Sequence, residues 1–267
     1  MKTDNISLTC TRVAFVLFLL IFGSGCVNQQ TKNKVHKTEN VIIVVIDGPR
    51  YSETWGDPNH TYLPRLANDL APHGVYYTEF YNNGPTYTNA GHSAITTGNY
   101  QEIDNSGKEL AQNPSFFQYW LKNSRESEVK AWVVTSKDKL EILSDCQDSA
   151  WQGTYNPSVN SGVGGLGVGS GYRHDSATME RVLDVMATHH PKLMLVNFRE
   201  PDRSGHKKNW EGYLQGIRDT DQYVYELYQF IQQDSIYAGK TSLFITNDHG
   251  RHLDDVKNGF FSHGCSC

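Results

Sequence analysis

Val41-Ile42-Ile43-Val44-Val45-Ile46-Asp47-Gly48 is a run of six β-branched apolar residues closed by an aspartate and a glycine. Branching at Cβ favours the pleated strand. A run without polar alternation suits a strand buried on both faces, as in the middle of a parallel sheet. The Asp-Gly ending supplies the turn that leaves it. Similar runs stand at 130–135, 193–198 and 242–246, and between them apolar residues recur at helical spacing, as at Ile217, Val224, Leu227 and Ile231. Strands alternating with helices predict an α/β sandwich.

Working outward, the chain has 267 residues, a net charge of −5 and enough apolar residues to bury one substantial core. No sustained run of Lys or Arg is present. That composition speaks against a nucleic-acid surface, which needs a clustered basic footprint, so an anionic substrate has to be held locally. Ahead of the first strand, residues 1–26 read as an export signal: Lys2 and Arg12, an apolar run at 13–22, then Gly23-Ser24-Gly25 before Cys26. The run is too short for a comfortable membrane span. Small residues leading to a Cys resemble a bacterial lipoprotein cleavage site, with Gly23 where the pattern favours Leu. The expectation is a lipidated Cys26 that ties the chain to the membrane of a bacterial cell envelope. Residues 27–40 lack apolar periodicity and read as a tether, leaving 41–267 as a single catalytic domain. The mature chain keeps Cys146, Cys265 and Cys267, three thiols whose pairing the spacing leaves open. The chain stops four residues after His263 with no apolar strand following, so the C-terminal end of the domain is expected to be missing.

In open α/β folds ligands gather outside the carboxyl ends of the strands. The unusual polar residues fall there: Asp47 after the first run, Arg199-Glu200-Pro201-Asp202 after the third, and Asn247-Asp248-His249-Gly250 after the fourth. The glycine-rich stretch 152–171 has no Lys-Ser/Thr ending of a phosphate loop and reads as a surface excursion.

Four pieces carry the chemistry: Asp47, the segment from Thr88 to Gly98, Asp202-Arg203-Ser204-Gly205-His206, and Asp248-His249 with His263 downstream. Carboxylate and imidazole ligands suit zinc, and an Asp and a His four residues apart converge on one ion across a turn. Taken singly, each piece is ordinary, because an Asp after a strand is usually a turn former and a His is more often structural. Taken jointly, the Asp-led pieces at successive strand ends point to a metal centre.

These residues resemble the alkaline phosphatase superfamily, in its nucleotide pyrophosphatase/phosphodiesterase branch and the related Thr-dependent alkaline phosphatases. The resemblance covers 41–263. It implies a three-layer α/β/α core with a mainly parallel sheet, and two divalent ions, zinc by ligand type. Asp202, His206 and His263 would hold one ion; Asp47, Asp248, His249 and the Thr88 hydroxyl would hold the other. Thr88 also fits an N-cap ahead of a helix over 90–97, and the two readings are compatible, since a helix N-terminus favours phosphate oxygens. The implied chemistry is in-line displacement by Thr88 at phosphorus, giving a phospho-threonine that water then hydrolyses. Two details favour monoesters. Gly91-His92 follows Thr88 as in the Thr-dependent phosphatases, where the diesterases have Asn-His. Ser136-Lys137-Asp138-Lys139 resembles the Lys-Asp-Arg segment that contacts the extra charge of a monoester, with Lys139 in place of the bidentate Arg. Alternatively Lys137 and Lys139 belong to a solvated helix start. Asn105 is the nearest candidate for the family's phosphoryl-binding Asn, after a shorter loop. The expected function is thus a phosphoric ester hydrolase acting on a small phosphorylated substrate.

Other readings differ in kind. A phosphodiesterase or nucleotide pyrophosphatase shares the ligand set, although the long insertion its relatives carry before the last His is absent between His249 and His263. A sulfatase needs a Cys-x-Pro-x-Arg type segment, which Thr88 lacks. A phosphoethanolamine transferase brings several membrane spans, and a sugar-phosphate mutase belongs inside the cell. Outside catalysis, the sequence fits a truncated, lipid-anchored binding protein that keeps the ligands without turnover.

Overall fold

A computed structural model of the chain describes residues 37–77, 79–254 and 259–264. The signal segment, Cys26, most of the tether, Cys265 and Cys267 lie outside the described residues. Within them Cys146 is a buried free thiol.

Five parallel strands form one sheet in the order β3-β2-β4-β1-β5. They are β1 (Asn40–Asp47), β2 (Ala131–Thr135), β3 (Ser158–Ser161), β4 (Leu193–Pro201) and β5 (Thr241–Asn247). The opening run occupies an interior position between β4 and β5, with Ile43 paired to Leu195 on one side and Phe244 on the other. Its alternate side chains serve two cores. Ile42 and Val44 pack with Met194, Val196 and Phe198 beneath α3 (Asp175–His189) and α5 (Trp210–Gln233). On the opposite face Val45 packs with Val133, Leu193 and Leu195 against α2 (Phe116–Ser124) and the 3-10 turn at Asp138–Ser144. A strand covered on both sides has no solvent face and therefore no polar alternation. The expected three-layer α/β/α sandwich with a parallel sheet is the fold observed.

Two expectations are corrected. The stretch 152–171 is more than a surface excursion. It contains β3, which pairs with β2 from Trp132↔Ser158 to Thr135↔Ser161. Its glycines then fold back so that Gly169 N and Gly171 N both donate to Asp138 Oδ2, at 2.9 and 2.8 Å. A four-residue edge strand of Ser-Val-Asn-Ser carries too little apolar signal to be seen in sequence. Second, Thr88 is not the N-cap. The helix α1 runs Thr88–Thr97 with Tyr87 in extended conformation before it and Gly98 in the left-handed region (φ 71°) ending it. Thr88 is thus the first helical residue, and its hydroxyl is free of a capping role.

Candidate metal centre

The carboxyl ends of β1, β4 and β5 lie side by side, so the residues that follow each strand enter one cleft. Asp47 is the last residue of β1 and is fully buried. Asp202 follows β4 at once and opens the single-turn helix α4 (Asp202–His206), which sets His206 one turn on along the same face. Asp202 Oδ1 and His206 Nε2 are 3.3 Å apart. Asp248 and His249 follow β5, and both are buried. His263 returns on the last described segment, which bridges antiparallel to Arg251 and donates from Gly264 N to Gly250 O at 2.9 Å. That return sets His263 Nε2 3.1 Å from His206 Nε2 and its ring 4.6 Å from the His249 ring.

Three sets of ligand atoms result, each with its members within 4.8 Å of one another: Asp202, His206 and His263; Asp47, Asp202 and His249; Asp47, His92 and Asp248. The first coincides with one of the ligand sets expected from the sequence. The second expected set is also brought together, since His249 Nε2 lies 3.4 Å from Asp47 Oδ1 and 3.5 Å from Asp248 Oδ2. Asp248 Oδ2 and His249 Nε2 are buried and make no hydrogen bond, and Asp47 Oδ1 makes none either, although the Lys137 ammonium is 2.9 Å away. Buried polar atoms are rarely left unbonded. Convergent carboxylate and imidazole lone pairs without partners are what a borderline divalent cation satisfies. The residues present fit the metal.

Electrostatics divide the imidazoles. Burial disfavours a charge on His249, but Asp248, Asp47 and Asp202 outweigh it and raise its pKa to about 9. Burial, with the neighbouring His249, pushes His263 down to about 3, leaving its imidazole neutral as a ligand requires. Burial opposes the charges of Asp202 and Asp248 too. Lys137 foremost, with His206 and His249, holds the Asp202 carboxyl well below the usual range, and His249 foremost, then His92 and Lys137, does the same for Asp248.

Around the ligands stand the other residues the sequence singled out. Thr88 is fully buried, and its Oγ accepts from Lys137 Nζ at 3.0 Å. Lys137 is buried as well and pairs with Asp47 at 2.9 Å and Asp202 at 2.7 Å, so it is no solvated helix start. Lys139 Nζ donates to Asn105 Oδ1 at 2.7 Å, and the same oxygen accepts from Asn89 N at 3.1 Å. Asn105 and Lys139 are therefore moored to the first turn of α1, one residue from Thr88. Burial and the nearby Lys137 lower the Lys139 pKa to about 8.

The sequence reading missed three participants. His92 is one turn along α1 from Thr88, with Nδ1 2.9 Å from Thr88 O and 3.2 Å from Asp248 Oδ2. Its spacing from Thr88 was the available signal. Asn197 donates from Nδ2 to Asp47 Oδ2 at 3.2 Å and stands 3.1 Å from His92 Nε2; a lone Asn within the apolar run of β4 was its signal. Arg251 bonds Asp202 Oδ1 through Nη1, a contact no spacing foreshadowed.

Residues 80–258 match the family model of the Metalloenzyme superfamily, more than half of the chain. The chain belongs to the metalloenzyme superfamily. No curated protein sequence matches it. Among solved structures, this superfamily member is similar to a protein of the alkaline phosphatase superfamily from Vibrio parahaemolyticus at 13% identity and a TM-score of 0.57, covering 85% of this chain and 59% of that one. It is similar to the lipoteichoic acid synthase LtaP from Listeria monocytogenes at 13% identity and a TM-score of 0.56, over 82% and 58% of the two chains. The alkaline phosphatase of Thermus thermophilus aligns at 15% identity and a TM-score of 0.50, over 82% and 61%. The fold of this metalloenzyme is that of the alkaline phosphatase superfamily, and the chain spans about three fifths of the length of these structures.

Proposed function

We propose that this metalloenzyme hydrolyses phosphate monoesters through a phospho-threonine formed on Thr88. The observation that carries the reading is the position of Thr88 Oγ. It is buried in the first turn of α1, 3.0 Å from the ammonium of Lys137, which itself contacts Asp47 and Asp202. Asp202, His206 and His263 would hold one divalent ion, and Asp47, Asp248 and His249 with the Thr88 hydroxyl the other. When bound, the ions, zinc by ligand type, supply positive charge to the entering and leaving oxygens.

The chain's own residues do the remaining work. Thr88 Oγ, losing its proton to solvent, forms the bond to phosphorus as the ester P–O bond breaks, and the departing alkoxide takes a proton from water. Water then attacks phosphorus, the Oγ–P bond breaks, and Thr88 regains its proton as phosphate leaves. Lys137 and Lys139 offer N–H donors to non-bridging oxygens. A monoester carries one more negative oxygen than a diester, so these contacts favour it. Asn105, whose Oδ1 accepts from Asn89 N and Lys139 Nζ, would offer its amide N–H to the same group. With the export signal and Cys26 read from the sequence, the enzyme would work in a bacterial cell envelope, tethered by lipid, on a small phosphorylated substrate.

The test is metal content by mass spectrometry together with nitrophenol release from nitrophenyl phosphate and from its methyl diester. About two zinc per chain and monoester turnover that falls about 10⁴-fold or more in Thr88→Ala are expected. Faster cleavage of the diester would move the protein to the phosphodiesterase and nucleotide pyrophosphatase branch. Folded protein that holds no metal and turns over neither ester would leave the non-catalytic binding protein.

A further inference from the structure

Lys137 follows β2 by two residues and its side chain is closed off from solvent. Its Nζ lies 2.9 Å from Asp47 Oδ1, 2.7 Å from Asp202 Oδ2 and 3.0 Å from Thr88 Oγ. An ammonium has three N–H donors and no acceptor; two are given to Asp202 Oδ2 and Thr88 Oγ, and Asp47 is an ion-pair partner at contact distance. In the two sets expected from the sequence Asp47 and Asp202 stand apart, although their oxygens also meet around His249. Thr88 is the proposed nucleophile, so a single cation of the chain engages one carboxylate of each expected set and the nucleophile at once. The other oxygen of Asp202 is taken by the Arg251 guanidinium.

A divalent ion on Asp47 and another on Asp202 need the lone pairs that Lys137 now occupies. Cations at contact distance in a buried site repel strongly, because little water stands between them to screen the charge. Ammonium and metal therefore exclude one another here. Without either, Asp47, Asp202 and Asp248 would face each other as buried carboxylates with only His249 and the Arg251 guanidinium on Asp202 to offset them, an arrangement that is costly unless paired.

On the metal-hydrolase reading above, we propose that Lys137 is the internal counter-ion of the metal-free centre. Its ammonium closes the cleft on Asp47, Asp202 and Thr88, and metal loads by displacing it. Displacement releases the ammonium and the Thr88 hydroxyl together, so that both become available to substrate only in the loaded state. The apparent affinity for metal is then lower than the ligands alone would give, by the fraction of time the centre stands open.

The experiment is a zinc titration against a chromophoric chelator, on the full chain of the wild type and of Lys137→Met, with melting of both metal-free forms. Lys137→Met keeps the length and removes the charge. It is expected to bind zinc about tenfold or more tightly than the wild type, as a closed state favoured ten to one would require, and to melt lower without metal. In parallel, wild-type protein labelled with nitrogen-15 lysine should show a slowly exchanging ammonium resonance, absent from Lys137→Arg, that disappears on adding zinc. Equal zinc affinity in wild type and Lys137→Met, or an ammonium resonance unchanged by zinc, overturns the proposal while leaving the metal-hydrolase reading in place. If neither protein binds zinc, that reading falls and this one with it. Should Lys137→Met not fold, the resonance decides alone.

Discussion

Asp47, His92, Asp248 and His249 are at most 3% exposed and stand on the ends of β1 and β5 or on the helix packed against them. Across the same cleft Asp202 is equally buried, but the His206 side chain is 42% exposed and His263 arrives on a segment beyond the sheet. The deep half is thus part of the core, fixed by β1, which is paired on both sides, and by β5 paired along it. The shallow half is assembled from one turn of helix and a returning chain. Ligands of the first kind are stiff because moving them means moving the sheet, whereas the second kind are held by few contacts and give way at little cost.

The largest effect should come from removing charge in the deep half. Asp47→Asn takes one carboxylate from the buried ammonium of Lys137 and the imidazole of His249, leaving them to Asp202 and Asp248, and is expected to destabilise the metal-free protein by about 3 kcal/mol. His263→Ala, in the shallow half, is expected to lower the metal content to about one ion per chain while changing metal-free stability by about 0.5 kcal/mol or less. Denaturant titration and metal analysis of the two variants side by side would break the comparison if their stabilities fell equally.

A second test asks whether the shallow half has a buried anchor of its own. Asp175, at the start of α3, accepts from Arg199 N at 2.9 Å and Glu200 N at 3.0 Å, and so holds the backbone just ahead of Asp202. Burial raises its pKa to about 6. A carboxyl whose folded pKa lies above its unfolded value contributes stability that is complete below about pH 4 and lost as pH rises through about 6. Relative to Asp175→Asn, the wild type should therefore lose about 2 kcal/mol between pH 4 and 7. Urea midpoints at the two pH values measure this directly, and parallel pH profiles would show that Asp175 does not titrate in that window.

The smallest expected effect probes how tightly the deep half is packed. A Cβ on Gly91 would meet the backbone oxygen of Asp248 at 2.5 Å. Gly91→Ala should cost about 1–3 kcal/mol by forcing α1 away from the end of β5, whereas Gly98→Ala meets no atom within 4 Å and pays only for its left-handed backbone. Equal melting temperatures for wild type and Gly91→Ala would mean that the α1–β5 contact yields.

How much of this was legible follows from the type of signal each residue leaves. Four of the five strands are visible by their apolar runs: β1, β2 and β4 are covered on both faces and so apolar nearly throughout, while β5 is a partly exposed edge strand that still carries Leu243, Phe244 and Ile245 in a row. The carboxylates that follow β1, β4 and β5 are visible because they break that pattern. The edge strand β3 is not, since four mixed residues paired on one side carry no such constraint. His92 and Asn197 look in sequence like an ordinary helical His and a stray polar residue. Only their meeting, 3.1 Å apart between Asp47 and Asp248, gives them a role. Lys137 marks the boundary most clearly. Its position after β2 was readable and suggested a substrate contact, but its engagement with carboxylates of both ligand sets was not.

By itself, then, the sequence determined the parallel sheet and pointed to the carboxylates and imidazoles that meet at its carboxyl end, because periodicity and residue chemistry are local properties of the chain. The tertiary structure decided which of these side chains come within reach of one another, that Lys137 stands among them and how deeply each is buried. Those depend on distances between residues as far apart in the chain as Asp47 and His249, which only the closed sheet sets.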